Sequence, residues 1–108
     1  MNKLNVKPLS VNQCWQGRRF KTKEYKNYEK EVLLLLPKIK ELEPPFRIDI
    51  VFMFIKKLSD IDNPLKPILD IIQKKYGIND RDVYELNVKK EVVSKGMDGI
   101  MFNITNKN

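Results

Sequence analysis

The side chains best suited to chemistry lie in one stretch: Asp60-Ile61-Asp62-Asn63, then Lys66, Asp70 and Asp80. Asp60 and Asp62 are two residues apart. In extended backbone such residues face the same way, roughly 7 Å apart between Cα atoms. Two carboxylates that close repel unless a cation sits between them, and a few carboxylates with water and phosphate oxygens suit Mg²⁺. Asp80, in a turn further along, is placed to fold back beside them. Asp60, Asp62 and Asp80 are therefore candidate metal ligands. Lys66 is the candidate to stabilise charge that develops on a phosphate oxygen. Lys66 and Asp70, four residues apart, share one flank of a helix.

Each piece also has a plainer reading. D-x-D-N makes a solvated turn before a helix. A surface Lys66–Asp70 pair is worth about 0.3 kcal/mol. Asp80 and Asp82 are ordinary turn residues, and Asp82 is read as nothing more. An EF-hand is excluded, because counting from Asp60 puts Leu65 at its glycine position and Ile71 at its glutamate position. A P-loop is absent.

The rest of the chain has a different character. The net charge is +7 over 108 residues, yet between Asp60 and Glu85 six acids outnumber four bases. A basic body draws polyanions, and an acidic pocket within it holds cations. The binding surface is expected from Arg18, Arg19, Lys21 and Lys23, extended by Lys56 and Lys57 and by Lys89 and Lys90. Trp15 and Phe20 flank the first of these groups. They can stack on exposed bases, although for Trp15 a core or dimer contact is equally open. With no histidine and a single cysteine, Cys14, a Ser-His-Asp triad, a Cys-His pair, a histidine-ligated zinc and an internal disulfide are all excluded. The cysteine usage fits a reducing compartment. No run is long enough to span a bilayer, and the first ten residues lack the apolar core of a secretory signal. A cytoplasmic location without membrane association is expected.

With 42% hydrophobic residues, one packed domain over residues 1–108 is expected. Residues 5–11 read as a short strand or arm, and residues 12–20 as a loop. Thr22 caps a helix carrying Tyr25, Tyr28, Val32, Leu35 and Ile39 at helical spacing, ended by Pro37. Residues 47–56 read as a central strand with both faces largely apolar. Asn63 is placed to cap a second helix with Pro64 in its first turn. Its apolar stripe runs from Leu65 to Tyr76, and Gly77 closes it. Residues 84–93 and 99–105 read as strands joined by a hairpin at residues 94–98. The sum is a two-layer α+β domain, with two main helices on a mixed or antiparallel sheet.

The combination Asp60-x-Asp62-Asn63-x-x-Lys66-x-x-x-Asp70, then Gly77, then Asp80 before a strand resembles the signature of RusA-type Holliday-junction resolvases. The likeness is close over residues 52–93 and looser in the N-terminal third. It implies a small basic homodimer, often phage-borne, that cuts two opposing strands of a four-way DNA junction with Mg²⁺ or Mn²⁺. The family's paired aspartates fall on Asp60 and Asp62, its essential lysine on Lys66 and its third catalytic aspartate on Asp80. Asp70 matches a further recurring acid, and Asn63 completes the motif. Many relatives carry two adjacent acids where this chain has Asn79-Asp80, and Asn79 offers a carbonyl oxygen without charge. The alternative is a non-catalytic basic DNA-binding protein of the same fold. A D-x-D phosphotransferase is disfavoured because it usually needs repeated β-α units.

Overall fold

The computed structural model describes residues 1–17 and 20–107. Two α-helices and a mixed four-stranded sheet make up most of it, with a two-stranded hairpin at one side. This is the expected two-layer α+β arrangement. The strands are β1 (Asn2–Leu4), β2 (Trp15–Gln16), β3 (Phe20–Lys21), β4 (Phe46–Phe54), β5 (Val83–Val92) and β6 (Gly99–Asn106); the helices are α1 (Lys23–Leu35) and α2 (Leu65–Tyr76).

β4 lies in the middle of the sheet order β1-β6-β4-β5. It runs parallel to β5, which requires a crossover, and α2 is that crossover. β6 pairs antiparallel with the other edge of β4, placing Ile48 opposite Ile104, Ile50 opposite Phe102 and Phe52 opposite Ile100. These six side chains form one buried row under the helices, completed from α2 by Ile68, Ile71 and Ile72.

Several expectations need correction. The strands on either side of residues 94–98 do not pair as a hairpin, because β4 lies between them. β6 carries the apolar row that matches β4, whereas Tyr84 and Leu86 of β5 are exposed, so β6 takes the inner position. β4 is also not apolar on both faces. Its outward side carries Arg47 and Asp49. The Arg47 Nε lies 3.2 Å from Asp49 and 3.1 Å from Glu85, and Lys107 Nζ is 2.8 Å from Glu85. Of the strand or arm expected over residues 5–11, the chain has no strand, and residues 5–10 run on irregularly after β1. The strand lies earlier, at β1, and a 3-10 turn follows at Val11–Gln13. The expected loop over residues 12–20 contains β2 and the first residue of β3.

Thr22 caps α1 as expected, its hydroxyl accepting from the Tyr25 N–H at 3.1 Å. Tyr25, Tyr28 and Val32 face the core, but Leu35 is exposed and Leu36 is buried in its place. Pro37 draws Leu36 into extended backbone (φ −66°, ψ 125°), which turns its side chain inward.

Candidate functional site

α2 is amphipathic in a way that builds the site. Pro67, Ile68, Ile71 and Ile72 face the core, and Lys66, Asp70 and Gln73 follow one another at i, i+4 and i+7 on another flank. Gly77, left-handed at φ 65°, closes the helix, and the Ile78 N–H returns to the Gln73 carbonyl at 3.0 Å. The chain is thereby turned back so that Asp80 meets this flank. The side-chain amide of Gln73 donates to Asp80 Oδ1. Lys66 Nζ lies 2.7 Å from Asp70 Oδ1. That hydrogen bond, aided by the negative charges of Asp70 and Asp80, raises the Lys66 pKa.

The other acids sit in the loop that leads into α2. Asn63 does not cap the helix. Pro64 occupies the cap position, the Leu65 N–H donates to the Asp62 carbonyl at 3.1 Å, and the Asn63 amide donates to Asp60 Oδ2 at 3.1 Å. A second strut fixes the loop, since the Val11 N–H donates to the Asn63 carbonyl at 2.8 Å. Asp60 and Asn63 line a concavity of about 290 Å³ shared with Ser10 and Gln13. Asp60, Asp62 and Asp80 are all exposed. Asn79 spends its side-chain oxygen on the Arg81 N–H at 3.1 Å, capping the 3-10 turn at Asp80–Asp82.

The donor set suits a hard divalent cation: three exposed carboxylates, two of them steadied by neutral amides that leave oxygens free. Among the described residues, no three acid, histidine or cysteine side chains are gathered into a ready-made cation cluster.

Behind Asp70 lie two further polar groups. Burial, then the charge of Asp70, pushes the Cys14 thiol up to about 11. The same two causes, in the same order, push the Tyr25 hydroxyl up to about 12. Both therefore stay protonated at neutral pH, so neither is an activated nucleophile.

Of the expected DNA contacts, Arg18 and Arg19 lie outside the described residues. Lys23, Lys56 and Lys57 are exposed. Lys21 is held 3.0 Å from Glu29, whose other oxygen lies 3.1 Å from Lys74. Gln73 and Glu29 were not picked out from the sequence. The i, i+4, i+7 spacing from Lys66 carries the signal for Gln73, whereas Glu29 lies 45 positions from Lys74 and carries none.

The described residues thus form a small basic α+β domain with a lysine and several acids on one crossover. The family model for endodeoxyribonuclease RusA matches residues 6–104, and the chain belongs to that family. Membership implies an endonuclease that resolves Holliday junctions, with DNA as its partner. No curated protein matches significantly. Among the described residues, no helix is long and apolar enough to cross a membrane.

Proposed function

We propose that this protein is a metal-dependent, structure-selective endonuclease that cuts four-way junctions by paired, symmetric incision. The observation that supports this most is the meeting of Lys66, Asp70, Gln73 and Asp80 on one flank of α2, directly after the Asp60–Asp62 loop. Asp60, Asp62 and Asp80 would hold Mg²⁺, with Mn²⁺ as a substitute. When bound, such an ion supplies an activated water at neutral pH and neutralises phosphate charge.

The chain's own groups do the rest. Lys66, its pKa raised further by the Asp70 hydrogen bond, stays protonated and donates to the phosphate oxygen on which charge builds up. Asn63 and Gln73 orient the Asp60 and Asp80 carboxylates, so that their free oxygens are aimed before substrate arrives. Lys23, Lys56 and Lys57, with Arg18 and Arg19, supply the contacts to phosphates. A four-way junction has two-fold symmetry and needs two cuts. A two-fold homodimer presents two such sites related by the same operation.

The test is a gel assay of a labelled synthetic four-way junction beside a linear duplex of the same sequence, each with Mg²⁺ or EDTA. Paired symmetric nicks on the junction, only with metal, are expected. Junction binding without cutting under any metal would identify a non-catalytic DNA-binding protein of the same fold.

A further inference from the structure

The hairpin of β2 and β3 is anchored on one side and bare on the other. Its register pairs Trp15 with Lys21 and Gln16 with Phe20. Paired residues share a face and neighbours alternate, so Trp15 and Lys21 lie on one face and Phe20 on the other. The inner face is fastened to α1. The Trp15 ring meets Tyr25 edge-on at 5.7 Å between centroids, and Lys21 Nζ stands 5.3 Å from the Tyr25 ring centre and 3.0 Å from Glu29. The root is closed by the Thr22 N–H to the Cys14 carbonyl at 2.9 Å and the Thr22 hydroxyl to the Gln13 carbonyl at 2.6 Å. Phe20, by contrast, is 73% exposed.

We propose that Phe20 stacks on a base freed at the branch point of a DNA junction, and that this contact separates branched from linear DNA. The inference rests on the junction-cutting reading above. A flat π-face on an anchored hairpin is the element that recognises an unstacked base, and every base offers it a partner. In a continuous duplex all bases are stacked on one another and none is available.

Charge points to the same occupant. In sequence Phe20 follows Arg18 and Arg19 and lies three residues before the exposed Lys23, a cationic setting suited to the phosphates on either side of an exposed base. The hairpin is also referenced to the catalytic helix. Glu29 bridges Lys21 of β3 and Lys74 of α2, and Lys74 adjoins Gln73, the partner of Asp80. A base fixed on Phe20 thus sets the register of the strand against α2.

The experiment places 2-aminopurine at the branch point of a four-way junction, or mid-arm as a control, and titrates full-length wild-type, F20A and F20W protein in EDTA. Wild type and F20W should change the branch-point fluorescence, and F20A should not. F20A should lose ~10-fold in the ratio of junction to duplex affinity while keeping its salt dependence and melting temperature. An F20A protein with unchanged fluorescence response and unchanged ratio overturns the inference. So does an F20A protein that prefers junctions normally but changes oligomeric mass by light scattering, which would make Phe20 a contact between copies. Wild-type protein that neither prefers nor cuts junctions overturns the junction reading itself, a result distinct from either of these.

Discussion

Lys66 Nζ stands 2.7 Å from Oδ1 of Asp70, one helical turn further along α2. The pair is open to solvent, with the lysine side chain 65% exposed, so its contribution to stability is small. Its consequence is chemical. K66A should lower the junction cleavage rate by about 10²-fold or more with little change in junction affinity, as for loss of one transition-state donor. D70N removes the partner that raises the lysine pKa, so the alkaline limb of the rate profile should move to lower pH. Single-turnover rates across pH check both. An unmoved alkaline limb in D70N would remove Asp70 from the mechanism.

Asp62 is exposed in the loop ahead of α2, and its side chain caps nothing there. D62N should therefore fold and bind junctions as the wild type does, yet fail to cut. Gel shift and cleavage measured on one preparation separate the two effects. Undiminished cutting would sink the assignment of Asp62 as a ligand.

Glu29 is the most enclosed of the ion-paired acids, its side chain 17% exposed. Burial alone would raise its pKa, but hydrogen bonds and charge from Lys21 and Lys74 outweigh burial and lower it. A carboxyl with a lower pKa when folded than when unfolded adds stability above its unfolded value. That stability is lost as pH falls through the folded value. The wild type should therefore weaken below the ordinary glutamate range, and E29Q should be less stable at neutral pH but less sensitive to acid. Urea melts from pH 7 down to pH ~3 test the sign; parallel pH curves for the two proteins would contradict it.

Gly99 opens β6 where β1 crosses close by. A Cβ at Gly99 would lie 2.7 Å from the Leu4 carbonyl oxygen, a backbone atom with little room to yield. G99A should cost about 1–3 kcal/mol, measured as a lower urea midpoint with an unchanged slope. Hydrogen exchange should quicken first in β1, which pairs only with β6.

Local chemistry was largely legible in the sequence. Thr22 fixes a helix end through its side-chain hydroxyl, Pro37 and Gly77 through their backbone requirements, and each does so in the fold. The alternation of Ile48, Ile50 and Phe52 marks the buried side of β4. What the sequence conceals is pairing at a distance. The crossover that makes β4 and β5 parallel brings Arg47 beside Glu85, and nothing near either residue announces the other. Asn63 looked like a helix cap, yet its amide prefers the charged Asp60 three residues away. The Asp60–Asn63 loop and the Lys66 flank followed from spacing. Gln73, the partner of Asp80, sits on that same flank and shares its spacing, whereas the bridge from Glu29 to Lys74 emerges only once α1 and α2 are packed together.

One feature of the chain's course bears on how the protein loses function. Asp60, Asp62, Lys66, Asp70 and Asp80 all belong to the single connection between β4 and β5. No second segment has to be recruited from elsewhere in the chain to complete the set. The same connection supplies Ile68, Ile71 and Ile72 to the interior. The groups proposed for catalysis and part of the core are thus carried by one cassette. Peeling α2 away would erase both in a single step.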